Sequence, residues 1–140
     1  MTQFTPYQTA FVNSRRVGRL ATCDPGGQPH VVPICYAFDG ERLFSPLDEK
    51  PKRVEVTRLK RVRNILANPQ VSIVVDDYSE DWSELAFVLI LGRAELVESG
   101  PQHAEALRLL REKYPQYRDM ALEEKPMLMI TPERVVSWRY

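Results

Sequence analysis

Two tight turns set in β-rich sequence constrain this chain more than any other feature. Asp24-Pro25-Gly26-Gly27 separates the runs Val17 to Cys23 and Gln28 to Phe38. Proline presets the backbone at the second turn position and glycine takes positive φ at little cost, so the two runs are predicted to pair as a hairpin. Asp39-Gly40 then separates Tyr36-Ala37-Phe38 from Arg42-Leu43-Phe44, a connection predicted to form a type I′ turn because its twist matches that of paired strands. Together the turns predict three strands in a meander. Pro33 lies inside the second, and a residue with no N–H for a ladder is expected at an edge, at a bulge or against a bound ligand.

The rest of the pattern extends this plan. An opening helix is expected over Pro6 to Ser14. From Lys50 to Arg63 the apolar spacing becomes helical, with Leu59, Val62 and Leu66 on one stripe and a stop at Asn68-Pro69. Pro51 and the β-branched Val54, Val56 and Thr57 weaken its first turn, so the start falls anywhere between Arg53 and Leu59. Val71 to Val75 and Leu85 to Val97 read as strands around the acidic turn region Asp76 to Asp81. Pro101 opens another helix, whose buried face is predicted as Ala104, Leu107, Leu110 and Tyr114. Met127 to Ile130 and Arg134 to Tyr140 read as a broken or bulged closing strand. Six meander strands with short flanking helices do not suit an open parallel sheet, whose strands alternate with crossover helices. The expected fold is therefore mainly β with flanking helices, a six-stranded antiparallel barrel forming a single domain over residues 1–140.

Length and composition narrow the function classes. One hundred and forty residues supply one core, which excludes a two-domain nucleotide-binding dehydrogenase or a TIM barrel. No apolar run reaches the 18 or more residues of a spanning helix, and Met1 to Tyr7 lacks a secretory signal, so the expectation is a cytoplasmic protein with no membrane contact. Cys23 and Cys35 are spaced unlike a zinc pair and are expected as small buried hydrophobes. His30 and His103 have no metal-spaced partner and are expected as ordinary surface or helix-face residues. No catalytic triad, glycine-rich phosphate loop or paired catalytic carboxylates stands out.

Charge placement is more telling. Nineteen basic and nineteen acidic side chains cancel, which argues against general attraction to nucleic acid. Yet Lys50, Lys52, Arg53, Arg58, Lys60, Arg61 and Arg63 face a single acid, Glu55, between positions 50 and 63. A cationic stretch at a helix start suits an anion such as phosphate, through charge-assisted donors and free N–H groups. The same run could also be a solvated helix face paired with neighbouring acids.

Gly26-Gly27-Gln28-Pro29-His30-Val31-Val32-Pro33, the Asp39-Gly40 turn, and Lys60-Arg61-Val62-Arg63-Asn64-Ile65 leading to Asn68-Pro69-Gln70-Val71-Ser72 form an ordered set. In this order they resemble the pyridoxamine 5′-phosphate oxidase-like split-barrel flavoproteins, over roughly Val17 to Val97. Lys50-Pro51-Lys52-Arg53, Asp81-Trp82-Ser83 and Pro132-Glu133-Arg134-Val135-Val136-Ser137-Trp138 further resemble the branch of probable coenzyme F420-dependent enzymes. The resemblance implies a homodimer of split β-barrels with a flavin or deazaflavin in clefts between the subunits. It implies that Lys60 and Arg61, nine and eight residues before Pro69, grip the cofactor phosphate, that Val32, Pro33, Ile34 and Cys35 face the ring, and that Ser45 lies near the phosphate. Lys50 and Lys52 would neutralise the longer anionic tail of coenzyme F420 or equally steer an anionic substrate, and Trp82 could cover a planar ring or equally form a lid over the core or a dimer contact. Trp138 is expected in dimer or barrel packing.

Two departures, about six extra residues before the basic pair and an ending at Trp138-Arg139-Tyr140, point away from pyridoxamine phosphate as substrate. The implied activity is hydride transfer from F420 to a small planar or conjugated organic substrate. An FMN-dependent reductase or oxidase and a non-enzymatic flavin or haem binder are the alternatives. Such cofactors carry the difficult chemistry themselves, which accounts for the lack of a catalytic motif. Neither the substrate nor the direction of transfer is written in the sequence.

Overall fold

The β-rich sequence folds into one continuous sheet whose two edges are formed by neighbouring pieces of chain. The computed structural model describes residues 2–47 and 59–140. In order these form α1 (Pro6–Ser14), β1 (Gly18–Cys23), β2 (Pro29–Ile34), β3 (Ala37–Phe38), β4 (Leu43–Pro46), α2 (Lys60–Ala67), β5 (Gln70–Asp77), β6 (Ala86–Val97), α3 (Pro101–Lys113) and β7 (Met127–Arg139). The strands lie in the order β2-β1-β5-β6-β7-β4-β3, with every described pairing antiparallel. β2 and β3 thus occupy opposite edges, although only Cys35 and Tyr36 separate them. Three Cα–Cα steps span at most about 11 Å, so the sheet must curl until its edges nearly meet. That is a split barrel.

The strand count is seven, not six, and the front of the chain is not a meander. The expected second strand, Gln28 to Phe38, divides at Cys35-Tyr36, and its two parts pair with different neighbours, β1 and β4. The first turn forms as expected: the Gly27 N–H donates to the Asp24 carbonyl at 3.0 Å and Gly27 has φ +88°. At the second turn Gly40 alone takes positive φ, +97°, so the paired positive φ of a type I′ turn is absent. The Asp39 carboxylate satisfies the Glu41 and Arg42 N–H groups instead, at 2.8 and 2.7 Å.

The barrel interior is filled from alternate strand positions, including Leu20, Ile34, Phe38, Leu43, Ile73, Val75, Val88, Ile90, Leu128 and Ile130, with Val62 and Ile65 of α2 at one end. A second apolar cluster lies outside β3, β4 and the start of β7, where Phe44, Met127 and Met129 meet Leu107, Leu110 and Tyr114. The unbroken apolar run Met127 to Ile130 is buried on both faces for this reason. β7 is continuous through Pro132, with Leu91 opposite Arg134 and Gly92 opposite Pro132. Glu133 is the extra residue of a bulge, where a proline costs the ladder least.

Two helical stripes are rotated from their expected positions. Leu66 is 62% exposed, and Asn64 turns inward beside Ile65 because its Nδ2 donates to the Thr22 hydroxyl at 2.9 Å. In α3 Ala104 is exposed, whereas His103 is buried with its Nε2 2.7 Å from the Lys125 carbonyl. Cys23 and Cys35 are free thiols and half-buried rather than buried. Among the described residues no helix is long and apolar enough to cross a membrane.

Candidate functional site

At the Asp24 end of β1 the sequence places cations, an open helix start and an unsatisfied imidazole together. α2 begins at Lys60 after Leu59, which cannot cap it with a side chain, and its first turn holds no acid. Among the described residues no side chain caps its leading N–H groups, which with the positive dipole end suit an anion. Asn64 fastens the helix to β1 through Thr22. The Lys60 Nζ lies 3.5 Å from the Asp24 carboxylate. A hydrogen bond from the Gln28 N–H, at 2.9 Å, and then the Lys60 charge hold the Asp24 carboxyl below its ordinary range. Arg61 follows, half-buried. His30 sits opposite Thr22 in the β1–β2 pair, and its Nδ1 is buried with no hydrogen-bond partner among the described residues. His30 is thus not the ordinary surface residue expected from sequence. No spacing rule could have found it, because only strand pairing sets His30 opposite Thr22, the residue that Asn64 of α2 reaches.

These residues fit the phosphate end of a redox cofactor: two cations, open backbone donors and an imidazole nitrogen still lacking a partner. Lys50 and Lys52 lie outside the described residues.

The segment expected to face the ring lies on an edge strand. Among the described residues β2 pairs with β1 alone. The Asp24 N–H donates to the Gln28 carbonyl, and alternation from that pair places Pro29, Val31 and Pro33 at positions that make no ladder bonds. Both prolines therefore cost the sheet nothing. The backbone facing the open edge is the Val31 N–H and carbonyl together with the Pro29 and Pro33 carbonyls. Of the expected set, Ile34 is buried in the barrel and Val32 packs against the same core, whereas Pro33 is exposed and Cys35 packs towards α3. The amide offered at this edge is that of Val31, which the sequence reading passed over.

Ser45 is buried, and its hydroxyl donates to the Cys35 carbonyl at 2.8 Å. Trp82 is 63% exposed in a short helical turn between β5 and β6, capped by the Asp81 carboxylate. Because Ala21 pairs with Ser72, Lys60 lies towards the Gln70 end of β5 and Trp82 beyond the other. Eight residues of strand span roughly 25 Å, so one chain does not bring Trp82 to the basic pair.

Two of the surface grooves lie near these elements. One, of about 510 Å³, crosses the outer sheet face at Ala21, Cys23, Pro29, Ser72, Leu91 and Arg134. Lys60 and Arg61 do not line it, since Thr22 turns inward to Asn64 while Ala21 and Cys23 alternate outward. The other, of about 670 Å³, runs along α3. There Arg108 is paired with Glu105 and Glu112, and Arg111 with the Tyr117 and Met120 carbonyls and Glu123.

The break between β2 and β3 removes Cys35 and Tyr36 from the ladder, and side chains replace it. The Tyr36 N–H donates to the Tyr114 hydroxyl at 3.1 Å, which donates in turn to the Arg16 carbonyl at 2.8 Å. The Tyr36 carbonyl accepts from the Lys113 ammonium at 3.1 Å. The Tyr36 hydroxyl donates to the Val12 carbonyl at 2.5 Å. Tyr114→Phe leaves a buried N–H without an acceptor and is expected to cost about 1–3 kcal/mol in denaturant unfolding.

Burial pushes the Tyr36 phenol well above its usual range and the Tyr114 phenol up to about 12, and it lowers Lys113 to about 8 from 10.5. The folded state therefore binds fewer protons at Lys113 than the unfolded chain between about pH 8 and 10.5, and stability from this group rises with pH across that window. Above about pH 10 the two tyrosines reverse the trend, because unfolding lets them ionise. Thermal scans are expected to show a gain from pH 8 to 10 that Lys113→Met abolishes; an unchanged profile in that variant refutes the assignment.

A family model described as pyridoxamine 5′-phosphate oxidase matches residues 4–139. A 5a,11a-dehydrotetracycline/5a,11a-dehydrooxytetracycline reductase of Streptomyces rimosus is 29% identical over 136 residues, covering 96% of this chain and 82% of the relative. An F420 reductase superposes with a TM-score of 0.64 at 25% identity, over 91% of this chain and 94% of its own. A FAD-binding protein of Mesorhizobium loti gives 0.66 at 28%, over 92% and 87%.

Proposed function

Because the chain belongs to the pyridoxamine 5′-phosphate oxidase family, we propose that it is an oxidoreductase that binds a flavin or deazaflavin. In this reading coenzyme F420 is the cofactor and a small planar or conjugated organic molecule is the hydride acceptor. The observation that carries the proposal is the convergence of Lys60, Arg61, the uncapped start of α2 and the unpartnered His30 Nδ1. The F420 reductase and the 5a,11a-dehydrotetracycline reductase among similar proteins support it. When bound, the reduced ring supplies the hydride. The protein's residues do the rest: Lys60, Arg61 and the first α2 N–H groups hold the phosphate, and the Val31–Cys35 edge bears on the ring. Lys50 and Lys52 balance the anionic tail. The FAD-binding relative favours the second reading, an FMN-dependent enzyme with the same anchors.

A second copy of the chain completes the cleft. Val74, Leu89, Leu91 and Val136 lie half-buried on the outer face of β5, β6 and β7, beside Trp138 at 45% exposure. This is the face that α3 leaves bare, and covering it removes apolar area from water. Light scattering of the purified protein is expected to give twice the 16.2 kDa chain mass; a monomer at micromolar concentration removes the second copy from the site.

The cofactor is tested by titrating the protein in parallel with F420 and FMN while following fluorescence. Turnover of 5a,11a-dehydrotetracycline follows with whichever binds in reduced form. Tight F420 binding with turnover is the expected result. A yellow protein indifferent to F420 makes FMN the cofactor, and binding without turnover of any acceptor makes the chain a carrier.

A further inference from the structure

Hydride reduction of a conjugated carbonyl also needs a proton, and at the Cys35 end of β2 one described amine is held ready to give it. Lys113 closes α3 with its Nζ 3.1 Å from the Tyr36 carbonyl, 3.8 Å from the centre of the Tyr36 ring and 5.3 Å from that of Tyr114. The groups facing it are Arg16 from the α1–β1 connection, whose guanidinium donates to the Lys113 carbonyl, Cys35 and Tyr36 of the strand break, and the adjacent Tyr114. The two phenols are spent: Tyr36 donates to Val12, and Tyr114 is engaged with the Tyr36 N–H and the Arg16 carbonyl. Burial first, and then the Arg16 charge, makes Lys113 a weaker base than an exposed lysine. It is charged at neutral pH and ready to lose its proton.

On the oxidoreductase reading above, we propose that Lys113 is the proton donor of the reaction, serving an α,β-unsaturated carbonyl substrate that lies against the Pro33–Cys35 edge. The substrate's β-carbon gains a C–H bond from the hydride of the reduced flavin or deazaflavin, which is thereby oxidised by two electrons. The π-electron pair of the C=C bond shifts towards the carbonyl oxygen as an enolate. One N–H bond of the Lys113 ammonium breaks as its proton passes to that enolate, and the neutral amine recovers a proton from water. The role requires the carbonyl end of the substrate to meet the strand break, one residue beyond the ring-facing segment. That placement favours acceptors whose C=C bond is conjugated to a carbonyl over isolated alkenes, which form no enolate to protonate.

The test combines apo-protein labelling with turnover. Trace acetylation by acetic anhydride is expected to titrate Lys113 near pH 8, and a Lys113 that labels only above pH 10 overturns the assignment without any assay of activity. With 5a,11a-dehydrotetracycline as acceptor, wild-type kcat should fall as pH rises through about 8, because the ammonium is lost. Lys113→Arg keeps the charge and the contacts but does not release a proton. It should bind cofactor within about twofold of wild type, lose about 10²–10⁴ in kcat, the range of general acid catalysis, and show no such limb. Lys113→Met serves as the uncharged control. Wild-type turnover that Lys113→Arg matches at every pH overturns the donor role alone. A wild type that binds neither cofactor, or never reduces the acceptor, overturns the oxidoreductase reading instead.

Discussion

Arg61→Ala is expected to weaken cofactor binding 10- to 100-fold. A charge-assisted hydrogen bond to phosphate is worth about 1.5–3 kcal/mol, or one to two decades in Kd. Arg61 is half-buried in the first turn of α2, where its charge adds to the helix dipole and is screened less than at an open surface. Lys60→Ala has a compound effect, because it also releases the Asp24 carboxylate now paired at 3.5 Å, leaving a negative charge beside the bound anion. The double variant should bind more weakly than either single one. Fluorescence titration with F420 and with FMN measures all three, and an Arg61→Ala protein as tight as wild type removes the anchor.

Gly92→Ala is expected to be clearly destabilising. A Cβ at Gly92 would lie 2.4 Å from the Thr131 carbonyl oxygen and 3.1 Å from the Pro132 Cα. Both obstacles are backbone and cannot swing aside. They belong to the β7 bulge at Glu133, across which Gly92 pairs with Pro132, so relief would require the two longest strands to separate. Overpacking of this kind costs about 1–3 kcal/mol and occasionally more, equivalent to a fall of roughly 3–10 °C in Tm for a domain of this size. Gly18→Ala is the informative control. There the closest atom, the Ile73 Cδ1 at 2.7 Å, ends a flexible side chain that can turn away. A Gly92→Ala protein as stable as Gly18→Ala would show that the bulge yields.

The elements legible in the sequence were those with strong local signals. α1 covers the expected Pro6 to Ser14, its start written in Pro6 at the first helical position and in the reciprocal cap between Thr5 and Gln8, with bonds of 3.1 and 2.9 Å. The β5 and β6 runs were visible through their β-branched residues, and Pro101 opens α3 as expected. The division at Cys35-Tyr36 was hidden, because Gln28 to Phe38 is uniformly compatible with extended backbone, and a strand break made good by distant side chains leaves no local mark. Tyr114, 78 residues away, supplies the missing acceptor. Leu66 misled for a related reason. Its spacing suits the buried stripe, but Asn64 takes the inward place once Thr22 is there to receive it.

In the candidate site the cations were visible as a charge run, whereas His30 and the Val31 amide were not. The sequence alone determined the strand-forming runs, the starts of α1 and α3, the cationic patch and the need for prolines at an edge, because each depends on residues within a turn or two of one another. Only the tertiary structure decided that β2 and β3 lie on opposite edges of one curled sheet, that His30 sits opposite Thr22, and that Lys113 meets Tyr36. Those outcomes arise from closing the barrel, where burial and the satisfaction of backbone polar groups are shared between residues far apart in the chain.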